Sequence, residues 1–240
     1  MVIAGIAAIL VQGTIDPMVA VQTMFAGIDS FPLLAIPFFI LAAELMSGGA
    51  LTEVLLRFAA QLVGHVRGGL GHTNVLTLTF FSGISGSALA DAAGPGSMLI
   101  RMMKKAGYPP EYAAALTAST AIVGPIIPPS IIMIVYALTE TSVSIMGLFL
   151  GGVVPGLMIT GSLLAVNHWV SVRRNYRSSE TRATLREIAK GFVRAAPALV
   201  LPFIILGGMH LGIFTPTEAS AVAVFYALVV GRLLYRTLDF

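Results

Sequence analysis

Hydroxyl groups, one carboxylate and several helix-breaking residues are concentrated in two short stretches of an otherwise apolar sequence. The first stretch is Ser82–Ser87, followed by Asp91, and the second is Ser119–Ser130, which contains Gly124 and three prolines. Hard cations bind hydroxyl, carboxylate and carbonyl oxygens, and an interrupted helix frees carbonyl groups for this purpose. The pattern predicts a site for a small cation built from oxygen donors.

The candidate site residues supply either an oxygen donor or a break in a helix. They are Ser85, Gly86, Ser87, Asp91, Ser119, Thr120, Gly124 and Pro125. The expected Na⁺ ligands are Ser85, Ser87, Thr120 and Gly124. For any single hydroxyl the alternative is a hydrogen bond to a neighbouring helix, and Asp91 has the alternative of a structural partner. Glu44 is interpreted as a packing or interfacial residue.

No other cofactor or metal is expected. The chain contains no Cys, so it has no thiolate ligands or nucleophiles, and the spacing of its four His residues does not suggest a transition-metal centre.

Composition is typical of a membrane protein. Hydrophobic residues make up 57 % of the 240 residues and charged residues 10 %, and the mean hydropathy is +0.91. Several apolar runs are long enough to cross about 30 Å of hydrocarbon. Basic residues cluster between Arg173 and Arg194, which favours a cytoplasmic loop over nucleic-acid binding. The predicted class is an all-α polytopic membrane protein, with Val2–Val11 as part of a membrane helix rather than a signal peptide.

Both polar stretches interrupt apolar segments. Because proline lacks a backbone donor, Ala113–Leu138 is predicted to be a broken helix. The apolar arms Val75–Phe81 and Ala88–Ile100 are each too short to cross the bilayer, which predicts a re-entrant helical hairpin over 72–104. Secondary transporters build ion and substrate sites from such discontinuous helices. The pattern therefore predicts transport across a membrane.

The remaining segments are assigned from their apolar pattern and charges. The predicted spans are Phe31–Met46, Val143–Val170, Ala195–Phe214 and Ala219–Tyr235; the predicted connections are Asp16–Ser30 and the basic loop from Arg173 to Arg194. Leu51–His65 alternates apolar and charged residues at helical spacing, which predicts an amphipathic interfacial helix. Thr215–Glu218 has the pattern of a capping box. The positive-inside rule assigns the basic ends of the predicted spans to the cytoplasmic side. This assignment is consistent along the chain only if the segment 72–104 enters and leaves the membrane on the same side.

An enzyme remains the alternative hypothesis. Gly83-Ile84-Ser85-Gly86 matches the G-x-S-G string around the nucleophile of rhomboid-like intramembrane serine proteases. Such an enzyme needs a base to activate Ser85. Only His168 and His210 could serve from the later spans, and both are expected near the membrane surface. The favoured hypothesis is a transporter and not an enzyme.

Four strings, in this order, resemble the large membrane (M) subunit of TRAP transporters, the tripartite ATP-independent periplasmic family. They are Phe25–Pro37, Gly83–Asp91, Ser119–Ser130 and Thr215–Ser220. The resemblance implies a sodium-driven symporter with an elevator mechanism in the bacterial inner membrane. Its implied partners are a small TRAP membrane subunit and a periplasmic substrate-binding protein that delivers a small organic acid.

The resemblance also implies a site and a domain organisation. Family sodium sites lie where the hairpin tip meets the broken helix, which corresponds to Ser85, Gly86, Ser87, Ser119, Thr120, Gly124 and Pro125. Residues 1–67 would be scaffold helices with an amphipathic arm helix. Residues 68–138 would be half of a transport domain, with the hairpin 72–104 and the broken helix 109–138. Residues 139–240 would be further transmembrane helices and an incomplete second repeat. The chain resembles the N-terminal half of one inverted-repeat subunit.

Overall fold

The computed structural model describes residues 16–29, 31–46, 49–140, 142–176, 178 and 181–235. Every regular element within these ranges is helical, so the predicted all-α class is confirmed. The predicted membrane helix Val2–Val11 lies outside the described residues.

The helices are numbered here in chain order. They are α1 Pro17–Ile28, α2 Ala35–Met46, α3 Gly49–Val63, α4 Gly69–Ser85, α5 Ala88–Asp91, α6 Ser97–Lys105, α7 Pro110–Ala121, α8 Ile131–Thr139, α9 Ile145–Arg173, α10 Leu185–His210 and α11 Pro216–Val230. A 3₁₀ turn, Phe31–Leu34, precedes α2. Single π-helical turns, Ala92–Gly96 and Gly231–Tyr235, join α5 to α6 and extend α11.

Three helices of the described chain are long and apolar enough to cross a membrane. They are α9, α10 and the extended α11 over Pro216–Tyr235. A fourth span exists if Phe31–Met46 and Ala50–Val63, which are bent by 74°, cross together. The predicted span Phe31–Met46 is short for a crossing by itself, because the 3₁₀ turn Phe31–Leu34 and the 12-residue α2 together cover about 26 Å. The fold is that of a polytopic helical membrane protein.

Two segments predicted as connections contain helix. Asp16 caps α1 by accepting a hydrogen bond from the Met18 N–H at 2.9 Å, and Pro17 occupies the first helical position. The basic loop was predicted to reach Arg194, but α10 begins at Leu185. The reason is a capping box, in which the Glu187 N–H donates to Thr184 Oγ1 and the Thr184 N–H donates to Glu187 Oε2.

Small side chains join α2 to α11. Ala35 and Ala42 of α2 and Ala219, Ala223 and Ala227 of α11 belong to one buried cluster. Small residues let helix backbones approach closely in a membrane protein. The predicted capping box at the start of α11 is confirmed, since the Thr215 N–H donates to Glu218 Oε2 at 2.8 Å.

The amphipathic character predicted for Leu51–His65 is confirmed in α3. Leu51, Leu55 and Phe58 are buried, whereas Glu53 and Arg57 are exposed and form an ion pair of 3.4 Å. Leu56 of α3 also joins Leu78 of α4 and Leu99 of α6 in a second buried cluster. The helix therefore packs one face against the segment that carries the candidate site.

Candidate ion-binding site

The segment from α4 to α6 folds back on itself as a helical hairpin. Leu78 of the first arm packs against Leu99 of the second, and Asn74 Nδ2 lies 3.4 Å from Met103 Sδ. The arms, 69–85 and 88–105, are longer than predicted, and only Gly86 and Ser87 separate them. The predicted break is therefore present, but it is shorter than the six-residue stretch Ser82–Ser87.

Gly86 forms the turn of the hairpin. Its φ is +59°, a left-handed conformation that glycine adopts without a Cβ penalty, and its N–H donates to the Ser82 carbonyl oxygen at 3.2 Å. A Cβ at this position would overlap the Pro129 carbonyl oxygen and lie 3.2 Å from Ser130 Cα. The hairpin tip thus rests directly against the interruption of the next discontinuous helix.

The second discontinuous helix consists of α7, an irregular segment 122–130 and α8. The segment includes the cis peptide bond Pro128–Pro129. Ser130 closes the break from both sides, because its Oγ donates to the Pro125 carbonyl oxygen at 2.7 Å and accepts from the Met133 N–H at 3.3 Å. The break predicted within Ser119–Ser130 is confirmed, with helix over 110–121 and 131–139.

Asp91 is the buried carboxylate at this junction, with 1 % of its surface exposed. Ser85 Oγ donates to its Oδ1 at 2.5 Å and Ser82 Oγ to its Oδ2 at 3.4 Å. A Cβ at Gly124 would lie 2.8 Å from Asp91 Oδ2 and 3.1 Å from the Ser87 carbonyl carbon. Both discontinuous helices therefore contact the same carboxylate. A carboxylate with neighbouring hydroxyl oxygens is a donor set for a hard cation.

A cavity of about 250 Å³ borders this carboxylate. Its lining includes Ser85 and Asp91 of the hairpin, Pro95 of the π-helical turn, and Glu44 of α2. The sequence predicted only a packing or interfacial role for Glu44, because this residue lies close to the expected membrane interface. Its position beside the cavity brings a second carboxylate to the space in front of Asp91.

The structure brings most, but not all, of the candidate residues together. Ser85, Gly86, Ser87, Asp91 and Gly124 lie at the junction, and the Pro125 carbonyl accepts the Ser130 hydroxyl. Thr120 is buried, and its Oγ1 donates to the Leu116 carbonyl oxygen at 2.8 Å. Ser119 is exposed on the surface of α7.

A second polar contact links the hairpin to the broken helix and was not predicted. Asn74 Nδ2 donates to Thr117 Oγ1 at 2.7 Å, and both residues are fully buried. Among the described residues, the Asn74 Oδ1, Thr73 Oγ1 and Thr77 Oγ1 atoms are buried without a hydrogen-bond partner. The sequence signal for this contact was the side-chain amide of Asn74, which lies between Thr73 and Thr77 in an otherwise apolar arm.

The long helix α9 packs on both discontinuous helices. Gly152 and Gly156 lie so close to Ile126 and Ile127 that a Cβ on either glycine would overlap them. At the other end of α9, Asn167 Nδ2 donates to the Gly68 carbonyl oxygen at 3.3 Å. These contacts hold the break and the base of the hairpin against one continuous helix.

Comparison with known proteins places this arrangement in a family. Residues 1–240 match the family model described as the tripartite ATP-independent periplasmic transporter, DctM component. The chain belongs to this family. Its members are transporter components of the bacterial inner membrane, so the family resemblance and the predicted location are confirmed.

Individual relatives match over most of this chain. It is 44 % identical over 219 residues to the sialic acid TRAP transporter large permease protein SiaM of Vibrio cholerae, covering 91 % of this chain and 51 % of that protein. It is 45 % identical over 225 residues to the 2,3-diketo-L-gulonate TRAP transporter large permease protein YiaN of Escherichia coli, covering 94 % and 52 %. The chain thus spans about half the length of these relatives.

The protease hypothesis finds no support, since the family is one of transporters rather than enzymes. The geometry agrees with this result. The His168 ring lies 5.8 Å from the ring of His72, which is 13 residues, or about 20 Å of helix, from Ser85. His210 is exposed at the end of α10. The Ser85 hydroxyl donates a hydrogen bond to the Asp91 carboxylate, and not to a histidine of a later span.

Proposed function

We propose that this chain is part of a sodium-coupled secondary transporter that imports a small organic acid across the bacterial inner membrane. The supporting observation is the junction of two helix breaks at one buried carboxylate, where Gly86 abuts Pro129 and Gly124 abuts Asp91. In lipid, interrupted helices are tolerated where they line a protein-enclosed or water-filled site. Transporters use such sites to bind coupling ions near the bilayer midplane.

The proposed ion is Na⁺, held by oxygen atoms alone. Ser85, Ser87 and Thr120 would supply hydroxyl oxygens and Gly124 a carbonyl oxygen, with Asp91 providing the negative charge. Because Ser85 Oγ donates to Asp91 and accepts from the Ser87 N–H at 3.3 Å, one of its two lone pairs stays available to a cation. The other members of the proposed binding set are Gly86, Ser119 and Pro125. No transition metal and no organic cofactor are part of this proposal.

The substrate and partners are proposed from the relatives. Their names specify sialic acid for SiaM, 2,3-diketo-L-gulonate for YiaN and, for the permease DctMQ of Oleidesulfovibrio alaskensis, isethionate. The property shared by these compounds is that each is a small organic acid, and we extend only this class to the present chain. The proposed partners are a small TRAP membrane subunit and a periplasmic binding protein.

We propose further that the hairpin is re-entrant. Arg67 precedes the first arm, Lys104 and Lys105 end the second, and all three are exposed. Basic residues at both ends favour one cytoplasmic side for both. The tip, Gly86 and Ser87, would then lie inside the membrane, which is where the cation needs enclosure by protein.

An elevator mechanism is the proposed movement. The residues 68–138, together with α9, would move as a body that carries the site, because α9 packs tightly on Gly68 and on Ile126. Helices α2, α10 and α11 would form the scaffold, with α3 as the arm. They supply most of a buried cluster that also includes Phe81 and Ile84 of the hairpin. The second repeat predicted to begin within 139–240 remains part of the proposal.

Uptake by the complete transporter, reconstituted with both partner proteins, tests the proposal. We expect accumulation of the organic acid to require an inward Na⁺ gradient. Replacing Ser87 or Thr120 with Ala should raise the Na⁺ concentration for half-maximal uptake about tenfold, the effect of losing about 1.4 kcal/mol of ion binding. Ser162→Ala is the matched control, since Ser162 is exposed and its Oγ donates to the Met158 carbonyl oxygen of its own helix. Unchanged sodium dependence in both site variants would contradict the assignment.

A further inference from the structure

A groove with a volume of about 330 Å³ separates the arm helix α3 from the first turns of α10. Its polar lining consists of Glu53, Arg57, Gln61, Glu187, Lys190 and Arg194. None of the residues that line the groove belongs to the proposed ion site. It is large enough for a compact charged group, and its lining indicates which charge that group carries.

The two acidic side chains of the groove are already engaged. Glu187 Oε2 accepts from the Thr184 N–H at 2.7 Å and from Thr184 Oγ1 at 2.8 Å. Glu53 pairs with Arg57 at 3.4 Å. In the part of the chain that the structure describes, Lys190 and Arg194 have no carboxylate within ion-pair distance. The lining carries three basic and two acidic side chains, and Glu187 interacts electrostatically with Lys190, so the groove offers a net positive charge to an anion.

The walls of the groove are fixed by close packing. Gly191 of α10 lies so near α3 that a Cβ would overlap Gln61 Oε1 and lie 3.3 Å from Phe58 Cδ2. The ring of Phe58 in turn contacts the rings of Phe80 and Phe192, with centroid distances of 5.8 and 6.0 Å. The two cations thus project from a helix that is held against its neighbour. A preformed site of this kind loses little entropy on binding.

Exposed apolar side chains lie beside these two cations. Leu185, Phe192 and Val193 of α10 are 85 %, 52 % and 70 % exposed. Lys190 and Arg194 alternate with them along the first turns of a helix that goes on as a membrane span. A ligand that satisfies both features carries an anionic head and apolar chains. Basic pockets between membrane helices at the cytoplasmic side are known to bind phospholipid headgroups.

We infer that this groove binds the headgroup of an anionic phospholipid, with phosphatidylglycerol as the test case. The phosphate contacts the side chains of Lys190 and Arg194, and the acyl chains run along Phe192 and Val193. The bound lipid joins the amphipathic arm helix α3 to the start of the span α10. This site concerns the scaffold and is independent of the ion bound at the hairpin.

Fluorescence quenching by brominated lipids tests this inference on the full chain. The chain has one tryptophan, so Trp169→Phe removes the background and Phe192→Trp introduces a reporter beside the groove. Phe203→Trp in the same background reports on bulk lipid, since Phe203 is 73 % exposed three turns further along the same helix. Each variant is reconstituted in vesicles that contain brominated phosphatidylglycerol or brominated phosphatidylcholine.

We expect the tryptophan at position 192 to prefer phosphatidylglycerol over phosphatidylcholine, relative to position 203, by about fivefold for each contributing cation. Lys190→Gln with Arg194→Gln should abolish this preference. Arg186→Gln, which removes a charge from the same helix outside the groove lining, should leave it unchanged. Circular dichroism and size-exclusion profiles matching the parent chain establish that the variants are folded.

Three results would overturn the inference. Equal lipid preference at positions 192 and 203 would show that the groove does not bind the lipid headgroup, and an acidic segment of a partner protein would then be the matching ligand. An equal loss of preference in Arg186→Gln would show that the preference for phosphatidylglycerol arises from the general surface charge of the helix. Competition by inorganic phosphate at constant ionic strength would assign the groove to free phosphate in place of a lipid.

Discussion

Gly124, in the break between α7 and α8, leaves the space into which the carboxylate of Asp91 projects. A Cβ at position 124 would lie 2.8 Å from Asp91 Oδ2 and 3.1 Å from the Ser87 carbonyl carbon. The position therefore has to be small for the hairpin and the broken helix to meet. Because of this close contact, a substitution at position 124 is a sensitive probe of the proposed cation site.

Gly124→Ala should weaken sodium binding. The added methyl group displaces the Asp91 carboxylate from its hydrogen bonds with Ser82 and Ser85, and overpacking of this kind costs about 1–3 kcal/mol. The measurement is thermal unfolding of the purified chain in NaCl and in choline chloride, because a ligand that binds only the folded state raises the melting temperature. We expect a clear stabilisation by NaCl in the parent chain and little in the variant.

Gly161→Ala is the matched control for that experiment. Gly161 lies in α9, and a Cβ there meets no atom within 4 Å. The control should retain the full stabilisation by NaCl. A Gly124→Ala variant with the same response to NaCl as this control would remove Gly124 from the site.

Gly86→Ala should destabilise the hairpin by roughly 2–4 kcal/mol, since it combines a left-handed φ with a direct overlap on the Pro129 carbonyl oxygen. Gly107→Ala separates the two causes, because Gly107 has a φ of +87° and open space around its Cβ position. We expect Gly107→Ala to cost only about 1–2 kcal/mol. Unfolding in a denaturing detergent measures both changes, and equal losses would argue against a tight contact between tip and break.

The buried hydrogen bond from Asn74 to Thr117 should couple the hairpin to the broken helix. A double-mutant cycle with Asn74→Ala and Thr117→Ala isolates the pair from each residue's other contacts. We expect a coupling energy of about 0.6–1.7 kcal/mol, the range for hydrogen bonds between membrane helices. The pair Asn74→Ala and Ser162→Ala serves as the uncoupled reference. Additive losses in both cycles would show that the 2.7 Å contact contributes nothing to stability.

Thr215→Ala should lower stability without changing the response to sodium. The Thr215 hydroxyl accepts from the Glu218 N–H at 3.4 Å, and losing such a cap costs about 1 kcal/mol. Thr184→Ala removes the equivalent cap of α10 and should behave alike. A loss of sodium-dependent stabilisation in Thr215→Ala alone would assign this turn a role in ion binding.

The helix breaks were predictable because their causes are local. The breaks near Gly86 and within 122–130 followed from clusters of glycine, proline and hydroxyl residues. A single proline is not sufficient, since Pro155 lies inside α9 and Pro197 and Pro202 lie inside α10. The capping box at Thr215 was predicted because its cause is also local. The equivalent box at Thr184 and Glu187 was missed, because the surrounding basic residues favoured a loop.

The contacts between segments were not predictable in the same way. Nothing in the sequence states that Gly86 meets Pro129, that Asn74 meets Thr117 or that Glu44 borders the cavity beside Asp91. These pairings depend on how the hairpin rotates against the broken helix and α2. Residue types therefore predicted the candidate donors, whereas only the fold shows where each one lies. Ser119, for example, is exposed on α7, whereas Thr120 beside it is buried.

Binding of ²²Na⁺ to the purified chain measures occupancy of the proposed cation site itself. In a scintillation proximity assay, we expect saturable binding that unlabelled Na⁺ displaces and choline does not. Asp91→Asn should weaken it at least tenfold, since the variant loses the buried carboxylate at the junction of the two breaks, while Gly161→Ala should bind like the parent chain. Binding that is absent in the parent chain, or unchanged in Asp91→Asn, would contradict the account.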